Sequence, residues 1–395
     1  MLEKFNQLSI DLTKKMDKQE KKKFGIYFTP QTIIEDCIDF LQPYFAHIQK
    51  VLEPSCGSGE FIETLIKKYD SDIQITGIEY NKTIFDQLGH LEFYENIELI
   101  HADFLNHQTH NYDLIIGNPP YFFLPKKDVE TKYHNHFDGR PNIFILFILK
   151  SLELLSENGI LCFVLPRNFL TCLYYDKTRR LISETCNILN IVHYDNTSFI
   201  ETAQETFVLI LQKAKTNENN DFVRKIQDHT IFGIPEHLNK IKTLTHGSTT
   251  LKELNCNVSI GNIVWNQQKS ILTTDETKTR LIYSSDIKDG LLIKQKYKNS
   301  SKLNYIDKPG IFGQLLVINR GYGVGNYKMD YCLIDGDFEY LVENHLICIK
   351  APENEMYQKI IDSLNNEKTK EFICLYFGNN AINKTELWEI LPVYF

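Results

Sequence analysis

Tyr112-Asp-Leu-Ile-Ile-Gly117-Asn118-Pro119-Pro120-Tyr121 is the stretch on which the reading of this chain turns. Tyr112 to Ile116 reads as a buried strand that stops at a glycine and enters a rigid corner. Two consecutive prolines hold φ at about −65° and remove two backbone donors. Carbonyl oxygens at this corner can therefore face a ligand without competing amides from the same residues. The Asn118 carboxamide adds an acceptor, and Tyr121 adds a flat π surface. Acceptors beside a ring suit the amino group of a planar base and do not suit a phosphate or a carboxylate.

Three strand ends upstream carry an acid. Lys50-Val-Leu-Glu53-Pro-Ser-Cys-Gly57-Ser-Gly59-Glu-Phe61 reads as a strand, a glycine turn and a helix start. It differs from the dinucleotide pattern in having a carboxylate at the strand end and only two glycines. Glu53 would repel a diphosphate but attract a sulfonium or an ammonium group. Ile73 to Asn81 is a second strand ending in Glu79, and Ile97 to Phe104 a third ending at Asp103. In open α/β sheets ligands bind at the carboxyl ends of the strands.

Taken together these segments resemble the S-adenosylmethionine (SAM) dependent methyltransferases that act on planar nitrogens. The closest resemblance is to the gamma-class, TaqI-like N6-adenine DNA methyltransferases of restriction-modification systems, and it covers about residues 24–211. It implies an α/β fold, with a Rossmann-like methyltransferase domain on a mixed seven-stranded sheet followed by a C-terminal target-recognition domain. The resemblance implies that Asn118, Pro119, Pro120 and Tyr121 are catalytic. It assigns the cofactor to Thr29, Glu53, Gly57, Gly59, Glu79, Tyr80, Asp103 and Phe104, with Glu79 on the ribose and Asp103 on the adenine amine. Asn142 and Phe144 border the pocket for the target base, and Phe199 stacks on that base. The expected reaction is methyl transfer to the N6 amino group of a flipped-out adenine in double-stranded DNA. Enzymes that modify an RNA base or a protein glutamine share the Asn-Pro-Pro-Tyr motif, and a non-catalytic specificity subunit could keep the fold. These alternatives stay open at this point.

The rest of the chain is read in order. Residues 2–20 have the spacing of one amphipathic helix, with Leu2, Phe5, Leu8, Leu12 and Met16 on one side. In Phe24-Gly-Ile-Tyr-Phe-Thr29-Pro30-Gln31, Thr29 stands at an N-cap position with Pro30 at the first helical one. Strongly apolar helix and strand patterns run from Phe144 to Pro166, and further strands are expected at 188–193 and 205–211. The polar stretch Lys213 to Asp221 divides a catalytic domain, 1–215, from a recognition domain, 216–395. In the latter, Asn266, Gln267, Lys269 and Arg320 are side-chain types that read base edges, and Gly321 to Gly325 would allow close backbone approach.

Composition narrows the setting. The 395 residues are 43% hydrophobic, enough for two sizeable cores. No apolar run approaches the roughly 18 residues of a membrane span, and no secretory pattern is evident at Met1-Leu-Glu-Lys. Nine cysteines without a CxxC pair suggest buried thiols in a cytoplasmic protein, with no metal site. Net charge is −8, yet Lys288 to Lys328 holds eight basic residues against two acids. Such separation by sign suits a nucleic-acid face. No Pro-Cys pair is present, which excludes the thiolate chemistry of cytosine-C5 methylation. A monomer is expected, with a companion endonuclease as a separate chain.

Overall fold

The computed structural model describes residues 5–69, 73–194, 199, 205–214, 220–321, 329–378 and 381–395. Its chain divides into two compact units: residues 1–225 with 229–235, and residues 226–228 with 236–395.

The first unit begins with two short helices, α1 (Gln7–Lys15) and α2 (Lys18–Phe24), where the apolar spacing predicted one. The break is chemical. Asp17 accepts hydrogen bonds from the amides of Gln19 and Glu20 and caps the second helix. Then follow α3 (Gln31–Leu41), β1 (Lys50–Glu53), α4 (Glu60–Lys68), β2 (Gln74–Glu79), α5 (Lys82–Phe85), β3 (Ile97–His101) and β4 (Tyr112–Gly117). The second half adds α6 (Ile143–Leu154), β5 (Leu155–Pro166), α7 (Asp176–Thr185), β6 (Cys186–His193) and β7 (Thr206–Lys213).

These strands form one seven-stranded sheet in the order β3-β2-β1-β4-β5-β7-β6. β7 alone runs opposite to the other six strands. Both faces are covered, which is why the central strands read as continuous apolar runs. Alternate residues serve opposite cores: Leu52, Ile115, Leu161 and Phe163 face the cluster containing α6, whereas Val51, Leu114, Ile116 and Cys162 face that of α3 and α4. After β1 the chain moves outward to β2 and β3, then returns to place β4 on the other side of β1. The loops leaving β1 and β4 consequently diverge from one crevice, the place where such sheets bind ligands.

The first unit extends to Pro235, past the polar stretch that marked the boundary in the sequence. A hairpin, β8 (Val223–Ile226) and β9 (His229–Phe232), packs back onto it. Phe232 joins the α6-side core, and the fully buried Arg179 donates to the carbonyls of Thr230, Phe169 and Cys172. Buried polar partners of this kind hold a segment that composition alone would release.

The second unit opens with α8 (Pro235–Thr245) and is otherwise mainly β. Its strands are β10 (Asn257–Ile260), β11 (Leu272–Thr273), β12 (Thr279–Ile282), β13 (Ile287–Lys288), β14 (Leu291–Leu292), β15 (Tyr305–Ile306), β16 (Leu315–Asn319), β17 (Tyr331–Ile334), β18 (Tyr340–Val342) and β19 (Leu346–Lys350). Two four-stranded sheets result, β10-β19-β16-β17 and β11-β15-β12-β18. Helices α9 (Glu355–Asn365), α10 (Glu367–Tyr376) and α11 (Lys384–Glu389) complete it. Among the described residues no helix is long and apolar enough to cross a membrane.

Candidate active site

Three loops of the first unit are locked together at the backbone. Gly25 ends α2 with φ +65°, and a Cβ there would lie 2.6 Å from the amide nitrogen of Tyr121. The Gly25–Pro30 segment therefore lies directly on the Pro120-Tyr121 backbone, and only glycine permits that approach. Ser55, in the turn after β1, donates its hydroxyl to the carbonyl of Asn118 at 3.1 Å. Gly117, with φ +155°, puts its α-carbon against Glu53, so that a Cβ would meet Glu53 Cγ at 3.5 Å.

The Asn118 side chain stands among these loops with every polar atom engaged. Its Nδ2 donates to Thr29 Oγ1 at 3.0 Å and to the Tyr27 carbonyl at 3.3 Å. The Tyr121 hydroxyl lies 2.8 Å from Asn118 Oδ1 and 2.8 Å from the Val164 carbonyl at the end of β5. Burial pushes the Tyr121 phenol well above its ordinary pKa, so the group stays a donor. Tyr121 is half-buried, with its ring at right angles to Phe144, 5.8 Å between centroids. Phe144 itself is fully buried against Phe169 and Tyr175. It supports the tyrosine from behind and presents no surface of its own. Asn142 precedes α6 without capping it. The residue is buried beside Phe123, and its Oδ1 has no partner.

The turn after β1 carries a cluster of acids. Glu53 is 2% exposed and its Oε2 has no hydrogen-bond partner. Burial, and then the nearby charges of Glu79 and Glu60, push its carboxyl well above the ordinary range. Glu79 accepts from the amides of Gly57 (2.9 Å) and Asn81 (2.7 Å), and burial still raises its pKa. Gly57 and Gly59 have φ of +51° and +79°, values that L side chains adopt only under strain. A Cβ on Gly59 would also strike Leu91 Cδ1 at 2.6 Å. Glu60 accepts from Ser9 Oγ (2.7 Å) and the Asn6 amide (2.9 Å), and Ser9 meets Ser58 at 2.7 Å, which ties α1 to the turn. A buried carboxylate with one oxygen left without a partner is costly. A cation placed against Glu53 relieves that cost, and the sulfonium-bearing, ammonium-bearing SAM fits this donor set where a polyphosphate would not.

The other residues named for the cofactor are less uniform. Tyr80, after β2, is 62% exposed, with its ring 6.2 Å from that of Phe24. Asp103 is half-buried and uses one oxygen to accept from the Leu105 amide. Phe104 is a core residue, packed against Phe147 with 4.7 Å between centroids. Thr29 is not the helix cap that its spacing predicted: the helix starts at Gln31, Pro30 holds the capping position, and the Thr29 hydroxyl accepts from Asn118 instead. Phe199 is 4% exposed in the α3-side cluster, whereas Tyr121 packs against the α6-side one. The structure leaves these two aromatics on opposite faces of the sheet. Gly25, Ser9, Ser58, Glu60 and the Val164 carbonyl escaped sequence reading. Of these only Gly25 had a signal, as a glycine just past a lysine-rich helix end.

In the second unit Asn266, Gln267 and Lys269 are exposed on two consecutive short turns, Trp265–Gln267 and Lys269–Ile271. Lys269 lies over the Trp265 ring at 5.7 Å. Arg320 lines a separate cavity of about 390 Å³ with Asn319, Ser284, Ser285, Asp330 and His345. Of the glycine run, Gly323 and Gly325 lie outside the described residues.

The fold is that of SAM-dependent methyltransferases, and the acids at the strand ends suit SAM as the cofactor. The family described as Eco57I restriction-modification methylase matches residues 60–199. Over 99% of both chains the protein is 28% identical to the type II methyltransferase M.CvrRI of Paramecium bursaria Chlorella virus XZ-6E. It is 26% identical, over the full length of both, to the modification methylase CviBIII of Paramecium bursaria Chlorella virus NC1A. Among solved structures, the chain in the cryoEM structure of a DrdV-DNA complex matches 98% of this chain, and 57% of its own length, with a TM-score of 0.55 at 13% identity. The chain is thus similar from end to end to restriction-modification methyltransferases.

Proposed function

We propose that this chain methylates the N6 amino group of an adenine turned out of duplex DNA, as the modification half of a restriction-modification system. The supporting observation is the Asn118 carboxamide, held by Thr29, Tyr27 and the half-buried Tyr121 beside the acids after β1. Similarity over the full length to a modification methylase and a type II methyltransferase favours DNA over other substrates.

The N6 nitrogen of adenine is a poor nucleophile because its lone pair is delocalised into the ring. Asn118 Oδ1 and the Pro119 carbonyl accept its two N–H bonds, which favours a pyramidal nitrogen with the lone pair aimed at the methyl donor. SAM supplies an activated methyl group whose transfer discharges a sulfonium, so no strong base is required of the protein. Glu53 holds the cationic end of the cofactor, Glu79 its ribose, and Tyr80 and Asp103 its adenine. Turning the base out costs a few kcal/mol. Stacking on Tyr121 returns about 1–3 kcal/mol. The first unit is assigned catalysis and the second target recognition, through Arg320, Asn266, Gln267 and Lys269. A cytoplasmic monomer with a separate endonuclease completes the proposal.

The test is transfer of labelled methyl from SAM to unmethylated duplex DNA, followed by nucleoside analysis. N6-methyladenine confined to one short sequence is the expected result. Label on RNA or on a protein glutamine, with none on DNA, would refute the substrate while keeping the cofactor site.

A further inference from the structure

We infer that Thr29 is a positioning residue for Asn118: its hydroxyl, together with the Tyr27 carbonyl, fixes which end of the Asn118 carboxamide faces the substrate. This rests on the adenine reading proposed above. A carboxamide has a donor end and an acceptor end of nearly equal size, and a half-turn about its last torsion exchanges them. Only one orientation can accept an N–H from a target amine. The other presents an NH2 group to an NH2 group.

The surroundings of Asn118 remove that ambiguity. The Tyr27 carbonyl, 3.3 Å from Nδ2, can only accept, so Oδ1 in its place would bring two acceptors together. Thr29 Oγ1, at 3.0 Å, makes the shorter of the two bonds to the same nitrogen. On the opposite side the Tyr121 hydroxyl, which has a single proton, shares it between Asn118 Oδ1 and the Val164 carbonyl. Oδ1 has a second lone pair, which stays open to a substrate N–H while the Tyr121 proton is shared. The Thr29 hydroxyl is available for this task because it caps nothing: α3 has Pro30 at its cap and receives no side-chain bond there. Thr29 is also 5% exposed, so water does not substitute readily for the lost partner.

The resemblance assigned Thr29 to the cofactor, and the two roles separate cleanly. Thr29→Val replaces the hydroxyl by a methyl of similar size, and Thr29→Ser restores the hydroxyl. If Thr29 positions Asn118, Thr29→Val lowers the single-turnover rate at saturating SAM about tenfold. It leaves the SAM dissociation constant, measured by calorimetry, within about threefold, and Thr29→Ser recovers most of the rate. A Thr29→Val protein that reacts at the wild-type rate but binds SAM weakly makes Thr29 a cofactor contact and overturns the inference. The ratio is read on whichever substrate accepts label, so a wrong substrate assignment does not obscure it. A readout free of substrate is the exchange of the Asn118 side-chain amide protons, identified by NMR through their loss in Asn118→Ala. Thr29→Val speeds that exchange and Thr29→Ser does not; equal exchange in all three proteins overturns the inference.

Discussion

In the first unit, Gly25–Pro30, Glu53–Gly59 and Asn118–Tyr121 are separated by dozens of residues, yet each touches another through backbone or fully engaged polar atoms. In the second, the side chains suited to reading bases stand on turns and on the wall of an open cavity, with Arg320 away from Asn266, Gln267 and Lys269. The difference suits the work proposed for each. Directing one lone pair at one methyl group tolerates displacements well under 1 Å. Reading a groove depends on several contacts that add up separately, each worth a modest amount. Substitutions in the first unit are therefore expected to act steeply and together, and those in the second gently and one by one.

The sharpest test of that contrast is Asn118→Ala. It should lower kcat about 10²–10³-fold, with SAM affinity nearly unchanged in calorimetry, since the acids after β1 are untouched. Gly25→Ala should come close behind, at about 100-fold, although Gly25 touches no substrate. Its new methyl group would collide with the Tyr121 amide. A Gly25→Ala enzyme with normal turnover would show that the three loops are not mechanically joined.

A smaller effect concerns Glu53. Its carboxyl is raised above the usual range, so at low pH it is protonated in the free protein. A bound cation favours the charged form, so SAM binding should release protons and strengthen as pH rises through that raised pKa. Calorimetry in buffers of different ionisation enthalpy measures the release. Glu53→Gln should flatten this pH dependence and weaken SAM by about tenfold.

In turnover on its own site the second unit should respond least. Arg320→Ala is expected to relax discrimination at one base position by about 1–3 kcal/mol, seen as methylation of a wider set of sites. Lys269→Ala should relax discrimination at a different position and, by removing a cation, reduce the salt slope by about one charge. If Arg320→Ala abolished turnover on every sequence, the division of labour between the units would fail.

Much of the first unit was legible because its signals are local. Apolar runs ending in Glu53, Glu79 and Gly117-Asn118 mark strands whose carboxyl ends line the candidate site, and two glycines beside Glu53 mark the turn. Where local signals competed, tertiary contacts decided. The apolar spacing of residues 2–20 ran through Asp17 as though it were surface, yet its side chain starts a second helix. Phe199 looked like a ring awaiting a base and is packed in the core. The polar stretch after Lys213 resembled a boundary, but Arg179 and Phe232 hold the following hairpin to the first unit.

The order of residues alone carried the class of chemistry proposed: acids at strand ends for a cationic cofactor, and acceptors with a ring for a planar amine. These depend on residue type and on periodicity, which survive without coordinates. The tertiary structure alone decided how Asn118 is turned. That depends on the Tyr27 carbonyl and the Thr29 hydroxyl arriving from about ninety positions away, and no local rule of spacing brings two such atoms to one side of an amide.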